Sequence, residues 1–234
     1  MSRSKWREDV DVLETEPLNG EAMTIAGIEE VACQDAPTIR TGIETLDEDL
    51  GGGLPLGVLT EVAVTKPSCG GQTLLLYLLN AARRERQLVT LVDGRYSFDP
   101  ESTPPSLLKH LLWVQCEDTM QAMKAADVLL RDENFGMVLV DLSWNDMREL
   151  RRVRSEDWYR LQRLAERSSA CVCIFTPKAM IPSAQVRLEM TRQFDFSDME
   201  VSVSELAQML EVRVLRLRQL EKSGFPKMIR GVAS

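Results

Sequence analysis

The sequence predicts an α/β fold, a mostly parallel twisted sheet with helices on both faces and a C-terminal antiparallel extension. Three observations carry this. Short apolar runs alternate with longer runs of helical period between residues 58 and 176. One of these runs, MVLVDLS at 137–143, is continuously apolar and ends on an acid-bearing turn, as a parallel strand covered on both faces does. The tail then changes period: AQVRLEMT (184–191) and EVRVLRLRQL (211–220) alternate apolar and polar residues, the pattern of half-exposed strands.

The elements follow in order. Residues 1–37 are polar, acidic and weakly patterned, with a short helix expected around Ile28–Cys33; residues 38–234 form the core domain. TLDEDL reads as a short helix stopped by Gly51, Gly52 and Gly53. VLTEVAV (58–64) is rich in β-branched residues and reads as a strand. The loop TKPSCGGQ leads to an apolar-faced helix at 73–84, whose last turn carries basic residues. Strands are expected at 88–93, 111–116, 137–143 and 171–176, and helices at 119–132 and 157–169. KSGF marks a turn after the last strand.

The 234 residues suffice for one large α/β domain or two small ones. Hydrophobic residues at 44% and charged residues at 27% supply a packed core. No run of about 18 apolar residues offers a transmembrane helix, and the first residues lack a signal peptide's apolar stretch, so a cytoplasmic protein is expected. Five cysteines at irregular spacing, with no CxxC and a single histidine, His110, do not make a zinc site. Cys171 and Cys173 read as reduced thiols on a strand. The net charge of −8 is uneven. Residues 1–50 hold 4 Lys+Arg against 13 Asp+Glu, a net of −9, and the remaining 184 hold 24 against 23, a net of +1. A globally basic nucleic-acid-binding signature is therefore absent.

A strand, a glycine-containing loop and a helix in succession form the setting of a phosphate-binding loop. There the backbone N–H groups and the helix N-terminus hold phosphates. In GxxxxGK[ST] the lysine reaches the β/γ-phosphates and the hydroxyl binds Mg²⁺. Laid on TKPSCGGQT (65–73), Gly70 matches the second glycine and Thr65 stands for the first. Gly71 replaces the lysine, and Gln72, followed by Thr73, replaces the hydroxyl. Lys66 is the loop's remaining cation, but the lysine belongs at the helix start. The loop reads as a turn that has kept a shape and lost the chemistry, with no catalytic residue, metal site or cofactor expected.

IRTGIETLDEDLGGGLPLGVLTEV (39–62) resembles the lead-in to the phosphate loop of the RecA recombinase core. VDGRYSFDP (92–100) resembles the segment carrying that family's catalytic glutamate, whose place is taken by Arg95. MVLVDLS puts Asp141 at the Walker B aspartate, and CVCIFTPKA (171–179) resembles the strand leading to the second DNA-binding loop. AQVRLEM and EVRVLRLRQLEKSGFPKMIRG resemble the closing strands. The resemblance covers residues 38–231 and implies a RecA-like core. Within that superfamily the sequence is similar to the ImuA group, related to SulA. That group shares the lead-in, the degraded loop and the leucine-rich helix, here TLLLYLLNAA. The resemblance implies a pseudo-ATPase, an accessory protein of DNA-damage-induced (SOS) translesion synthesis and mutagenesis. Its implied partners are an ImuB-like polymerase protein, with RecA and DNA as further candidates. The alternatives are a divergent DNA-dependent ATPase and a SulA-like cell-division inhibitor.

Candidate contact residues lie in two arginine-rich stretches. Residues 148–167 hold Arg148, Arg151, Arg152, Arg154, Arg160, Arg163 and Arg167 against four acids, in the place of the first DNA-binding loop of RecA. Guanidinium forks suit phosphate, and Trp144 and Trp158 could stack on bases. A solvated helix with i,i+3 and i,i+4 pairs is the plainer reading. In the tail, Arg213, Arg216 and Arg218 are candidates, with Arg216 and Arg218 on one strand face and Leu215 and Leu217 on the other. Asp141 without its loop partners reads as a strand-end capping carboxylate, and Glu61 and Asp93 as structural acids.

Overall fold

A computed structural model describes residues 37–196 and 198–217. The acidic segment, the helix expected near Ile28–Cys33, Arg218 and the KSGF turn lie outside the described residues.

A short antiparallel pair, β1 (Thr38–Ile39) with β2 (Leu54–Pro55), encloses helix α1 (Glu44–Asp49). The main sheet has seven strands in the order β5-β4-β6-β7-β3-β8-β9. They are β3 (Val58–Val64), β4 (Leu88–Asp93), β5 (Leu111–Gln115), β6 (Phe135–Asp141), β7 (Cys171–Thr176), β8 (Val186–Met190) and β9 (Val212–Leu217). All neighbours are parallel except β8 and β9. The antiparallel extension is thus a single strand, β9, because β8 continues the parallel sheet by pairing with β3. The helices are α2 (Gly71–Arg84), α3 (Pro105–Leu108), α4 (Thr119–Arg131), α5 (Met147–Leu150), α6 (Ser155–Ser168) and α7 (Val203–Gln208).

The central strands read as unbroken apolar runs because each feeds two cores. On β6, Met137 and Leu139 join Leu74, Leu75 and Leu78 of α2. Val138 and Val140 face the opposite core, with Ala122 and Ala126 of α4 and Trp158 and Leu161 of α6. On β7, Cys171, Cys173 and Phe175 go one way, Val172 and Ile174 the other. Cys171 and Cys173 are buried free thiols. The Cys171 sulfur bonded to it and, next, burial push the Cys173 thiol well above its ordinary range, which keeps it protonated.

Helix α6 begins two residues before its expected start. Glu156 and Asp157 then occupy the first turn, where carboxylates complement the helix dipole. The Arg154 guanidinium bonded to Asp157 holds that carboxyl below its usual range.

Strand β9 departs from simple alternation. Its register with β8 shifts at Arg187/Leu188: Arg216 pairs with Arg187, while Val214 pairs with Leu188. The extra residue, Leu215, bulges outward and is exposed, whereas Leu217 packs on the α2-side core. Leu215 and Leu217 therefore do not share a face.

A buried ion pair ties β3 to β8. The Glu61 carboxylate, fully buried, accepts Arg187 Nε at 2.6 Å, Thr176 Oγ1 at 3.1 Å and the Met180 and Ile181 amides at 2.6 and 2.9 Å. Arg187 also donates to the Ile181 carbonyl at 2.6 Å. One carboxylate thereby fixes two strands and the 177–185 connection, which is held as a structural link. Removing one partner of such a pair leaves a buried charge uncompensated. Arg187→Leu is expected to lower unfolding free energy by about 3–5 kcal/mol, measured by urea denaturation. A loss below about 1 kcal/mol, the range of an exposed pair, contradicts this reading.

Candidate functional site

The C-terminal ends of β3, β4 and β6 meet where ligands bind in open parallel sheets. After β3 the chain runs through Thr65–Gly70 into α2. Gly70 caps the helix with φ of 86°, which favours glycine, and Ser68 is also left-handed at 55°. Space beside the loop is tight. A Cβ on Gly70 would collide with Leu210 Cδ2 and lie 3.0 Å from Phe194 Cε2. The Phe194 amide also donates to the Ser68 carbonyl at 2.8 Å. Residues following β8 and preceding β9 thus pack directly against the loop. The sequence held no signal for this, because Phe194 and Leu210 lie outside every motif.

Asp141 ends β6 and is buried. Its Oδ1 accepts the Ser143 amide at 3.0 Å and the Ser143 hydroxyl at 2.6 Å. Its Oδ2 accepts Gln72 Nε2 at 3.1 Å and the Ser97 hydroxyl at 3.0 Å. A carboxylate offers about four acceptor positions, and protein donors stand at all of them. Ser97 has a single proton and also lies 3.2 Å from Asp93 Oδ1, so it bridges the two acids. Asp93 further accepts the amides of Arg95, Ser97 and Phe98 and the Trp113 indole N–H.

This arrangement does not fit a magnesium nucleotide. Gln72, the second residue of α2, spends its amide on Asp141. Gly71 brings no ammonium group to the helix start. Lys66 and Thr65 are exposed on the loop, Thr65 Oγ1 donating to the Met190 carbonyl at 3.4 Å. Thr73 is half-buried in the first turn of α2. Arg95 donates to the Glu117 carbonyl and pairs with Glu149 at 2.8 Å.

The candidate contact residues separate. Trp158 lies in the α6-side core, 2% exposed, and cannot stack on a base; its position at i−3 of Leu161 on an amphipathic helix is the signal that it belongs to the core. Trp144 is 66% exposed on the loop after β6. Arg148, Arg151 and Arg152 are exposed on and just after α5. Arg154 is tied to Asp157 at 3.2 Å and Glu156 at 3.8 Å. Arg213 is exposed, while Arg216 is half-buried and donates to the Pro182 and Ala184 carbonyls. The sequence reading missed Tyr96, 55% exposed in the β4 turn with φ of 56°, an aromatic at the same end of the sheet.

Replacing Gln72 by Ala removes one donor from Asp141 at an exposed edge. The expected cost is about 0.5–1.5 kcal/mol, the net worth of one hydrogen bond, read as a fall in melting temperature of about 1–5 °C. Asp141→Ala strands the donors of Gln72, Ser97 and Ser143 together and costs more. Equal melting temperatures for wild type and both variants would contradict the network.

Comparison with known proteins agrees with the fold. The family model for the RecA N-terminal domain matches residues 11–145, which reaches through β6 and the glycine loop. Protein RecA of Dichelobacter nodosus (strain VCS1703A) is 33% identical over 116 residues. That alignment takes in 48% of this chain and 33% of the relative, so it spans about a third of the relative's length. With a parallel sheet, a loop leading into α2 and an aspartate ending β6, the chain belongs to the RecA N-terminal domain family.

Proposed function

We propose that this RecA-like chain has given up nucleotide turnover and serves as an adaptor in DNA-damage-induced translesion synthesis, of the ImuA type. The supporting observation is the Gln72–Asp141 hydrogen bond of 3.1 Å, with Ser97 and Ser143 on the same carboxylate. A site satisfied by its own side chains holds a scaffold together and offers no place for a phosphate-bound metal. The similarity of the lead-in, the degraded loop and the leucine-rich helix to ImuA points to an ImuB-like polymerase protein as partner, with RecA as a second.

The proposed contact surface is the end of the sheet that carries Trp144, Arg148, Arg151 and Arg152. An exposed indole beside guanidiniums is the composition of an interface anchor. The same groups suit DNA phosphate and bases, so the two uses are separated by salt. Phosphate contacts weaken steeply as counterions are added, with a log–log slope near −0.9 per contact on duplex DNA.

Co-expression with an ImuB-like protein and with RecA tests the reading. The chain is expected to co-purify with the polymerase-like protein, and W144A/R148E/R151E/R152E is expected to lower recovery about tenfold, or 1.4 kcal/mol. Failure to co-purify when both proteins are soluble counts against the adaptor. Titration with DNA at two salt concentrations then shows whether these arginines also meet phosphate.

A further inference from the structure

The outer helical layer carries a second basic feature, away from the glycine loop. Helices α4 and α6 pack side by side, and their C-terminal halves enclose a groove of about 290 Å³. Its rim is Arg131, Arg160, Arg163 and Arg167, and its floor is Leu164 with Leu130 at one end. Asp127 organises one side: it takes Arg131 Nε at 2.9 Å and Arg160 Nε at 2.7 Å. Arg163 and Arg167 are exposed and have no ion-pair partner among the described residues. Arg160, Arg163 and Arg167 stand at i, i+3 and i+7 on one stripe, where like charges repel. The helix dipole accounts for cations in the last turns, Arg131 and Arg167, but not for Arg160 and Arg163.

The groove has an apolar floor between guanidinium walls, so its complement is a peptide with carboxylates interleaved by aliphatic side chains. Nucleic acid fits less well, because its phosphate backbone brings no aliphatic group to the floor of Leu164 and Leu130. The chain carries one segment of the required composition. EDVDVLETEPL (8–18) has five acids, Glu8, Asp9, Asp11, Glu14 and Glu16, four aliphatic residues and no base. It lies outside the described residues.

The described chain also begins near the C-terminal end of α6, on the flank that faces β3. The Pro37 carbonyl accepts the Leu56 amide at 2.9 Å, and the Gly57 amide donates to the Ala170 carbonyl at 2.9 Å, three residues beyond Arg167. A Cβ on Gly57 would sit 3.8 Å from the Ala165 carbonyl and the Ser169 Cα of the α6 terminus. The 18 intervening residues, 19–36, can span at most roughly 60 Å, against the roughly 10 Å between Arg160 and Arg167 on the helix. We propose that the α4–α6 arginine groove binds the chain's own acidic segment, residues 8–18, with the guanidiniums on its carboxylates and the leucine floor under its aliphatic side chains. This proposal is independent of the adaptor reading. Tethering gives the segment a high effective concentration at the groove, so a partner's acidic segment must displace it.

The test uses the full chain with a photoreactive benzoylphenylalanine in place of Leu13, irradiated in a mixture of isotopically light and heavy chains. Cross-links are expected within one chain, to peptides spanning 126–133 and 160–168. R163E/R167E should lower their yield about tenfold, as should E14K/E16K, which leaves the groove itself intact. Combining the two reversals should restore the yield. Cross-links to another part of the fold, or insensitivity to both reversals, would overturn the proposal. Light-to-heavy cross-links would overturn it in favour of a second copy. A groove that takes no cross-link but binds an oligonucleotide through Arg163 and Arg167 would overturn it in favour of nucleic acid.

Discussion

The constraint on which the site depends is a single buried carboxylate. Asp141 ends the central strand β6, and burial obliges it to find partners inside the protein. It finds Gln72 from the start of α2, Ser97 from the turn after β4 and Ser143 from its own loop. Three segments distant in sequence are thereby fastened to one atom pair at the end of the sheet where chemistry would be expected. In an arrangement built for phosphoryl transfer, that carboxylate helps hold a metal and the neighbouring hydroxyl completes the coordination. Here an amide, a poor ligand for a hard cation, faces it. Gln72 links local chemistry to stability: its amide satisfies the buried carboxylate of Asp141.

A second carboxylate, Glu61, does comparable work two strands away, on β3. Fully buried and paired with Arg187, it binds the 177–185 connection to β3 and β8. Phe194 and Leu210 then lay an apolar cover against Gly70. The glycine loop is therefore bounded by packing on one side and by a satisfied acid on the other. The outer layer is different in kind. Its arginines Arg160, Arg163 and Arg167 stand on an exposed helix face.

Most of the fold was legible because the central strands carry period-two burial on both faces. β3, β4 and β7 begin and end at the residues the pattern gave, each with a glycine or proline at one end (Gly57, Gly94 and Pro177). The helix starts at Gly71 and Ser155 shifted by two residues, because capping by Gly70 and by an acidic first turn overrides the apolar period. The bulge at Leu215 was not legible: it arises from register with β8, a non-local property. At the site, the residue types at 71, 72 and 95 were read from the sequence as replacing an ammonium, a hydroxyl and an acid. What they do instead was invisible, since Gln72 and Asp141 are 69 positions apart and Arg95 and Glu149 are 54 apart. Trp158 illustrates the reverse error: an aromatic near arginines looked like a stacking platform, yet its place on the apolar stripe of α6 sends it into the core.

The central claim, a nucleotide site closed by its own side chains, is tested most directly by calorimetric titration of magnesium and ATP into the full chain. The account predicts no binding heat even at millimolar nucleotide, for wild type and for Asp141→Asn alike. Saturable micromolar binding, lost in Asp141→Asn and accompanied by phosphate release, would contradict it.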